Sequence, residues 1–166
     1  MASLAYADDP LGLNRQANIS FGKIDFEGPV GSGNVQLGSN GTVTYGNNTS
    51  GTGLGTPAQL EITGTVGTIV SISCSDSGSL VQSGHGSLPI SGIRFNIGAG
   101  NVGPYITGTA CTGIANGVAT HTIGATASDN TLFIGATLEL NNQSLSNGTF
   151  GTSGGGIMPS FQILVQ

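Results

Sequence analysis

The amino-acid sequence predicts an all-β protein built as a sandwich or barrel, and three features carry that expectation. Glycine accounts for 30 of the 166 residues, and the longest stretch without one is the twelve residues Ala136 to Asn147. Glycine costs a helix interior about 1 kcal/mol relative to alanine, so a helical fold is excluded. Apolar residues recur at period two in short runs separated by glycine, asparagine and serine, the pattern of half-buried strands joined by polar turns. Charge is scarce: Lys and Arg number 3, Asp and Glu 8, and charged residues make up 7% of the chain. An ordinary soluble domain carries roughly 25%. With a net charge of only −5 and 37% hydrophobic residues, the chain also lacks the low-hydrophobicity, high-charge signature of disorder.

The expected strands follow in order. Residues 17–26 place Ala17, Ile19 and Phe21 on one face, and the period resumes after Gly22 as Ile24 and Phe26, which predicts a bulge or bend at the glycine. Asn34 to Leu37 and Thr42 to Tyr45 flank Gly38-Ser39-Asn40-Gly41, a hairpin signal with Asn-Gly in the turn. Leu60 to Ile62 and Val66 to Cys74 come next, the latter with Val70, Ile72 and Cys74 on one face. Leu88 to Ile97 aligns Ile93, Phe95 and Ile97. Pro104 to Gly108 reads as a strand, and Val118 to Ile123, Thr131 to Leu140 and Ser160 to Val165 complete the set. In Thr131 to Leu140, Phe133 faces away from Leu132 and Ile134. The Ile-Thr-Gly-Thr fragment at residues 62–65 and 106–109 is a chance recurrence or a shared strand-end turn.

Composition excludes several functions. Three cations, Arg15, Lys23 and Arg94, make no basic patch for nucleic acid. No apolar run approaches the roughly 20 residues of a membrane helix. Serine and threonine total 36 and asparagine 13, so the surface is hydroxylated and amidic. Net charge normally keeps proteins apart, and a chain that nearly abandons it tolerates association or requires it. This points to an assembled extracellular material.

Cys74 and Cys111 in a chain of secretory character predict one disulfide, closing a loop of nearly forty residues, with two buried free thiols as the alternative. Ala5-Tyr6-Ala7 fits a signal-peptidase pattern without the usual charged and apolar regions before it. The numbering either begins inside a longer precursor or includes these residues in the mature chain, and the second is expected.

No catalytic, cofactor or metal site is expected. Gly98-Ala99-Gly100-Asn101-Val102-Gly103 matches G-x-G-x-x-G, but a dinucleotide loop must open a helix, and about one such match arises by chance among so many glycines. His85 and His121 lack a nucleophile-elbow context, and two distant histidines with two cysteines form no ligand cluster. The carboxylates are too scattered for a glycosidase pair, and Asp76 and Asp129 sit where aspartate caps its own turn. Glycosylation sequons stand at Asn18, Asn40, Asn47, Asn48, Asn142 and Asn147, a modest excess over chance.

The N-terminal residues alternate: Ala2, Leu4 and Tyr6, then Leu11 and Leu13, with Pro10 between. One reading is a first strand of the chain's own sheet or a frayed tail. The other is a donor strand inserted into a neighbouring copy. Thirteen extended residues reach roughly 43–47 Å, far enough to cross to the next subunit.

Pro10-Leu11-Gly12-Leu13 followed by Ala17 to Ile24 resembles the opening of the bacterial domain of unknown function 4402 family. Ile62-Thr63-Gly64, Ile134 to Leu140, Asn147 to Gly151 and Phe161 to Val165 resemble its middle and closing segments. The Cys74/Cys111 pair and Gly154-Gly155-Gly156 depart from the pattern, and the chain ends at Gln166 without an aromatic finish. The resemblance implies a secreted immunoglobulin-like β-sandwich, similar to spore-coat-U and archaic pilus subunits, in which a neighbour's N-terminal segment supplies a missing strand. The expected organisation is an extension over residues 1–16 and a sandwich over 17–166. The expected function is a structural subunit of an extracellular filament supporting adhesion or biofilm, exported to the cell surface. Its expected partners are other copies of itself and a chaperone or assembly platform. The rival readings are a monomeric secreted domain binding carbohydrate or a surface through polar loops and Tyr45 or Tyr105, and a secreted hydrolase.

Overall fold

The computed structural model describes residues 10–26, 33–82, 86–115, 117–140 and 160–166. In chain order its strands are β1 (Gly12–Ala17), β2 (Lys23–Phe26), β3 (Asn34–Leu37), β4 (Val43–Tyr45), β5 (Thr49–Thr52), β6 (Ala58–Thr63), β7 (Ile69–Cys74), β8 (Ser77–Gln82), β9 (Gly86–Ile97), β10 (Thr109–Ala110), β11 (Ala119–Thr122), β12 (Thr131–Glu139) and β13 (Phe161–Val165). Among the described residues there is no α-helix, so the chain is all-β as its glycine distribution requires.

The largest sheet has eight strands and grows from the antiparallel pair β9–β12, with Leu132 opposite Ile97 and Leu138 opposite Ile90. A register shift between Gly135 and Thr137 is met across the pair by Gly92 at φ +54°, a conformation that glycine adopts without Cβ strain. Along the other edge of β12, β6 pairs with its first half and β3 with its second. Beyond β9 lie β8 and β10; β1 pairs outside β6 and β4 outside β3. A second sheet has three strands, β7 with β11 on one side and β13 on the other. β2 and β5 form a separate ribbon.

Both larger sheets feed one core. Ile62, Phe95, Leu132 and Ile134 enter from the first, Val70, Ile72 and Cys74 from the second. Phe95 of β9 meets Phe161 of β13 edge to face at 5.8 Å between ring centroids. Cys74 and Cys111 are joined, with Cα atoms 5.1 Å apart, so the expected disulfide is formed. It ties β7 to the segment that follows β10 and so links the two sheets covalently.

Local chemistry explains most of the expected elements. The Gly38–Gly41 hairpin forms, with Gly41 at φ +81° and the Asn40 side chain accepting from the Thr42 N–H at 3.0 Å. The expected bend falls at Gly22, φ +74°, but the run 17–26 is not one strand: Ala17 closes β1, residues 18–21 touch a strand partner only through the isolated Ser20–Thr56 bridge, and β2 begins at Lys23 in another sheet. Three expectations need correction. Pro104–Gly108 is not a strand: Tyr105–Thr107 is a 3-10 turn, closed by the Thr107 N–H and hydroxyl donating to the Pro104 carbonyl at 3.0 and 2.8 Å. The Val66–Cys74 strand begins only at Ile69, because Val66 and Gly67 turn the chain, with Gly67 at φ +88°. β5 and β8 were not expected, since Thr49-Ser50-Gly51-Thr52 has no apolar residue and Ser77–Gln82 has two.

Candidate functional site

β13 is rich in β-branched and aromatic residues, and it pairs with β7 from Phe161 opposite Cys74 to Val165 opposite Val70. Cross-strand partners share a face of the sheet. Phe161, Ile163 and Val165 therefore point with Cys74, Ile72 and Val70 toward the core. The hydrogen bonds give the other half of the geometry. The Ser160 carbonyl accepts from the Ser75 N–H at 2.9 Å, and the Gln166 N–H donates to the Ile69 carbonyl at 3.0 Å. Bonded and non-bonded pairs alternate in an antiparallel ladder, so Gln162 and Leu164 also turn their backbone groups toward β7. The N–H and C=O groups of Phe161, Ile163 and Val165 turn the opposite way, to an edge that no strand occupies among the described residues.

Exposure follows the same geometry. Phe161 and Ile163 are half-buried, and Val165, although it faces the core side, is 61% exposed. On the outer face Leu164 is 64% exposed and lies diagonal to the exposed Ile69. These residues form an exposed apolar edge that sequence reasoning missed. β13 was expected as an ordinary last strand, and nothing in its pattern distinguishes a strand with one neighbour from a strand with two.

The expected donor residues fall into two groups. Ala2, Leu4 and Tyr6 lie outside the described residues. Leu11 and Leu13 pack partly buried against the core, and Leu13 pairs with Ile62 of β6. Residues 12–16 of the expected extension thus lie in a strand of the chain's own sheet. That strand's register shifts between Arg15 and Ala17, and the Gln16 amide donates to Glu61 at 2.7 Å.

The remaining polar residues serve local structure. Buried Asn130 accepts from the Gly124 N–H at 2.7 Å and donates to the Gly124 carbonyl at 3.0 Å. Its orientation is therefore fixed, and its Oδ1, 3.0 Å from His121 Nε2, makes that nitrogen the donor. Asp129 accepts from the Thr126 hydroxyl at 2.6 Å, a bond between side chains of one turn and not the cap on its own backbone that was expected. His121 and Asp129 border an open cleft of about 420 Å³ with Ile97 and the Gly98–Asn101 segment, a single 3-10 turn that leads into extended backbone at Val102 and opens no α-helix. Tyr45 has its hydroxyl buried without a partner among the described residues. The Tyr105 hydroxyl donates to the Gly92 carbonyl at 2.6 Å, and Arg94 stacks over its ring at 5.4 Å. Among the described residues no group of three His, Cys, Asp or Glu is placed to hold a metal, and no helix is long and apolar enough to cross a membrane. His85 and the sequons at Asn142 and Asn147 lie outside the described residues.

A family model described as Domain of unknown function (DUF4402) matches residues 11–154. No curated protein and no solved structure matches the chain.

Proposed function

This chain belongs to the DUF4402 family, and from that premise we propose that it is a structural subunit of an extracellular filament whose copies complete one another by donating a strand. The observation that carries the reading is the three-stranded sheet, in which β13 has one neighbour among the described residues and leaves its core-side Val165 61% exposed. An edge of that kind is a template for pairing with another chain, and natural domains otherwise blunt it. Strand addition satisfies the free backbone groups, while alternate side chains fill the apolar gap. A contact between two different surfaces of the same molecule propagates instead of closing, which makes a fibre. The two sheets over a shared core suit an immunoglobulin-like sandwich lacking one strand. The disulfide suits an oxidising, extracellular setting. A net charge of −5 on 166 residues offers little repulsion to close association.

The test is assembly of the intact chain against a chain lacking residues 1–9, which leaves β1 whole. The intact chain is expected to form filaments under negative stain, and the truncated chain to stay monomeric by light scattering. Filaments of normal length from the truncated chain overturn the reading. The competing reading, a monomeric carbohydrate- or surface-binding domain, draws on the open cleft beside His121. It predicts that the intact chain is itself a monomer and retains a glycan on an array.

A further inference from the structure

We infer that the acceptor in this assembly is the edge of β13 that no strand occupies among the described residues, and that the donor is Ala2, Leu4 and Tyr6 of the next copy, seated with Leu4 opposite Ile163. The inference rests on the strand-donation reading above and specifies where and in what register it operates.

The edges differ in how well they can accept a strand. A receptive edge has free backbone groups beside apolar side chains that still need cover; a protected one carries bulges or charge. β1 belongs to the second kind: its register breaks between Arg15 and Ala17, and Arg15 shares the face of Leu60. β11 offers Thr120 and Thr122 outward, and Ala119 and His121 toward the core. β8 has its apolar Leu80 buried already, at 4% exposure. β4 and β10 are three and two residues long. β13 alone among these presents Phe161, Ile163 and Val165, each with its backbone groups turned outward and its side chain on the core side.

The N-terminal segment fits that edge in spacing. Three apolar positions, 2, 4 and 6, alternate over five residues, as do positions 161, 163 and 165, whose backbone groups turn away from β7. Partners opposite one another share a face, so the donor's alternating set would cover the inner face where Val165 is exposed. The central pair, Leu4 with Ile163, is the same whether the donor runs parallel or antiparallel. Leu11 and Leu13 are excluded from the donor because Leu13 is paired with Ile62 of its own chain. The six peptide steps from Tyr6 to Gly12 reach about 20 Å, which is the tether between the donated strand and the first strand of the donor's own body.

Cysteine cross-linking in the full chain tests the register. Gln162→Cys is combined with Ala5→Cys, which an antiparallel donor brings together, and separately with Ser3→Cys, which a parallel donor brings together. Asn14→Cys on the β1 edge with each N-terminal cysteine is the control. Gln162 is exposed, so its substitution leaves the core intact. After mild oxidation, one Gln162→Cys combination is expected to run as an intermolecular ladder with loss of the monomer band, and the Asn14→Cys combinations are expected to remain monomeric. Hydrogen exchange supplies the second readout: the amides of Phe161, Ile163 and Val165 should exchange rapidly in the chain lacking residues 1–9 and slowly in filaments. Filaments that cross-link through Asn14→Cys, or at neither position, overturn this inference and leave the filament reading standing. Cross-links confined to single chains, or slow exchange of those three amides already in the truncated monomer, also overturn it. A chain that forms no filaments overturns both.

Discussion

β12 and β13 are both apolar strands of the C-terminal part of the chain, yet they occupy opposite conditions. β12 has β9 on one edge and β6 and β3 on the other, and Leu132, Ile134 and Leu138 are at most 2% exposed. Among the described residues β13 has only β7, and its core-facing Val165 is 61% exposed. The difference does not lie in hydrophobicity, since Phe161-Gln162-Ile163-Leu164-Val165 is the more uniformly apolar of the two. It lies in the number of neighbours. A strand buries its side chains only as far as the strands beside it extend the layer, and among the described residues β13 marks where the layer stops.

The largest expected effect comes from cutting what holds β13's sheet to β12's. Replacing Cys74 and Cys111 together by alanine releases a loop with a sequence separation of 37, which costs about 4 kcal/mol in the chain-entropy model. Urea unfolding measures the loss, and hydrogen exchange should place the earliest opening in β7, β11 and β13. Opening first in β12 would show that the three-stranded sheet is not the weaker of the two.

A matched pair of truncations sharpens the contrast. Ile134→Ala in β12 should cost about 3 kcal/mol, as full burial and a residual cavity imply. Ile163→Ala in β13 should cost about 1 kcal/mol, because much of its side chain is uncovered before the change. Equal midpoint shifts in urea would mean that β13 is as well packed as β12.

The smallest effect on stability belongs to the edge itself. Val165→Lys should alter the stability of the truncated monomer by no more than about 0.5 kcal/mol, since the side chain has little packing to lose. The same substitution in the intact chain should abolish filaments by placing a charge at the proposed acceptor edge. Asn14→Lys, at the β1 edge, should change neither. Filaments from Val165→Lys would remove the special standing of β13.

Where an element rests on its own residues, its position is readable in advance. The Gly38–Gly41 hairpin, the bend at Gly22 and the alternation in β7, β9 and β12 all follow from local rules, and the disulfide follows from cysteine count and secretory character. β5 and β8 were not readable because their partners define them. Thr49–Thr52 is a strand through its pairing with β2, and Leu80 is buried beside Leu88 of β9. Pro104–Gly108 misled because a proline followed by apolar residues suits an extended segment as well as a turn; the turn is secured by the Thr107 bonds to Pro104 and by Tyr105 bonding Gly92.

The amino-acid sequence by itself determined that this protein is all-β, that charge does little for it, and where many of its chain reversals fall. These are properties of single residues and near neighbours: glycine's cost in helices, the two-residue repeat of strands, the turn preference of Asn-Gly. Which strand lies beside which, and hence which edge has no partner among the described residues, was decided by the tertiary structure alone. Backbone hydrogen bonds between strands are the same for every residue, so the chain carries no local record of its partners.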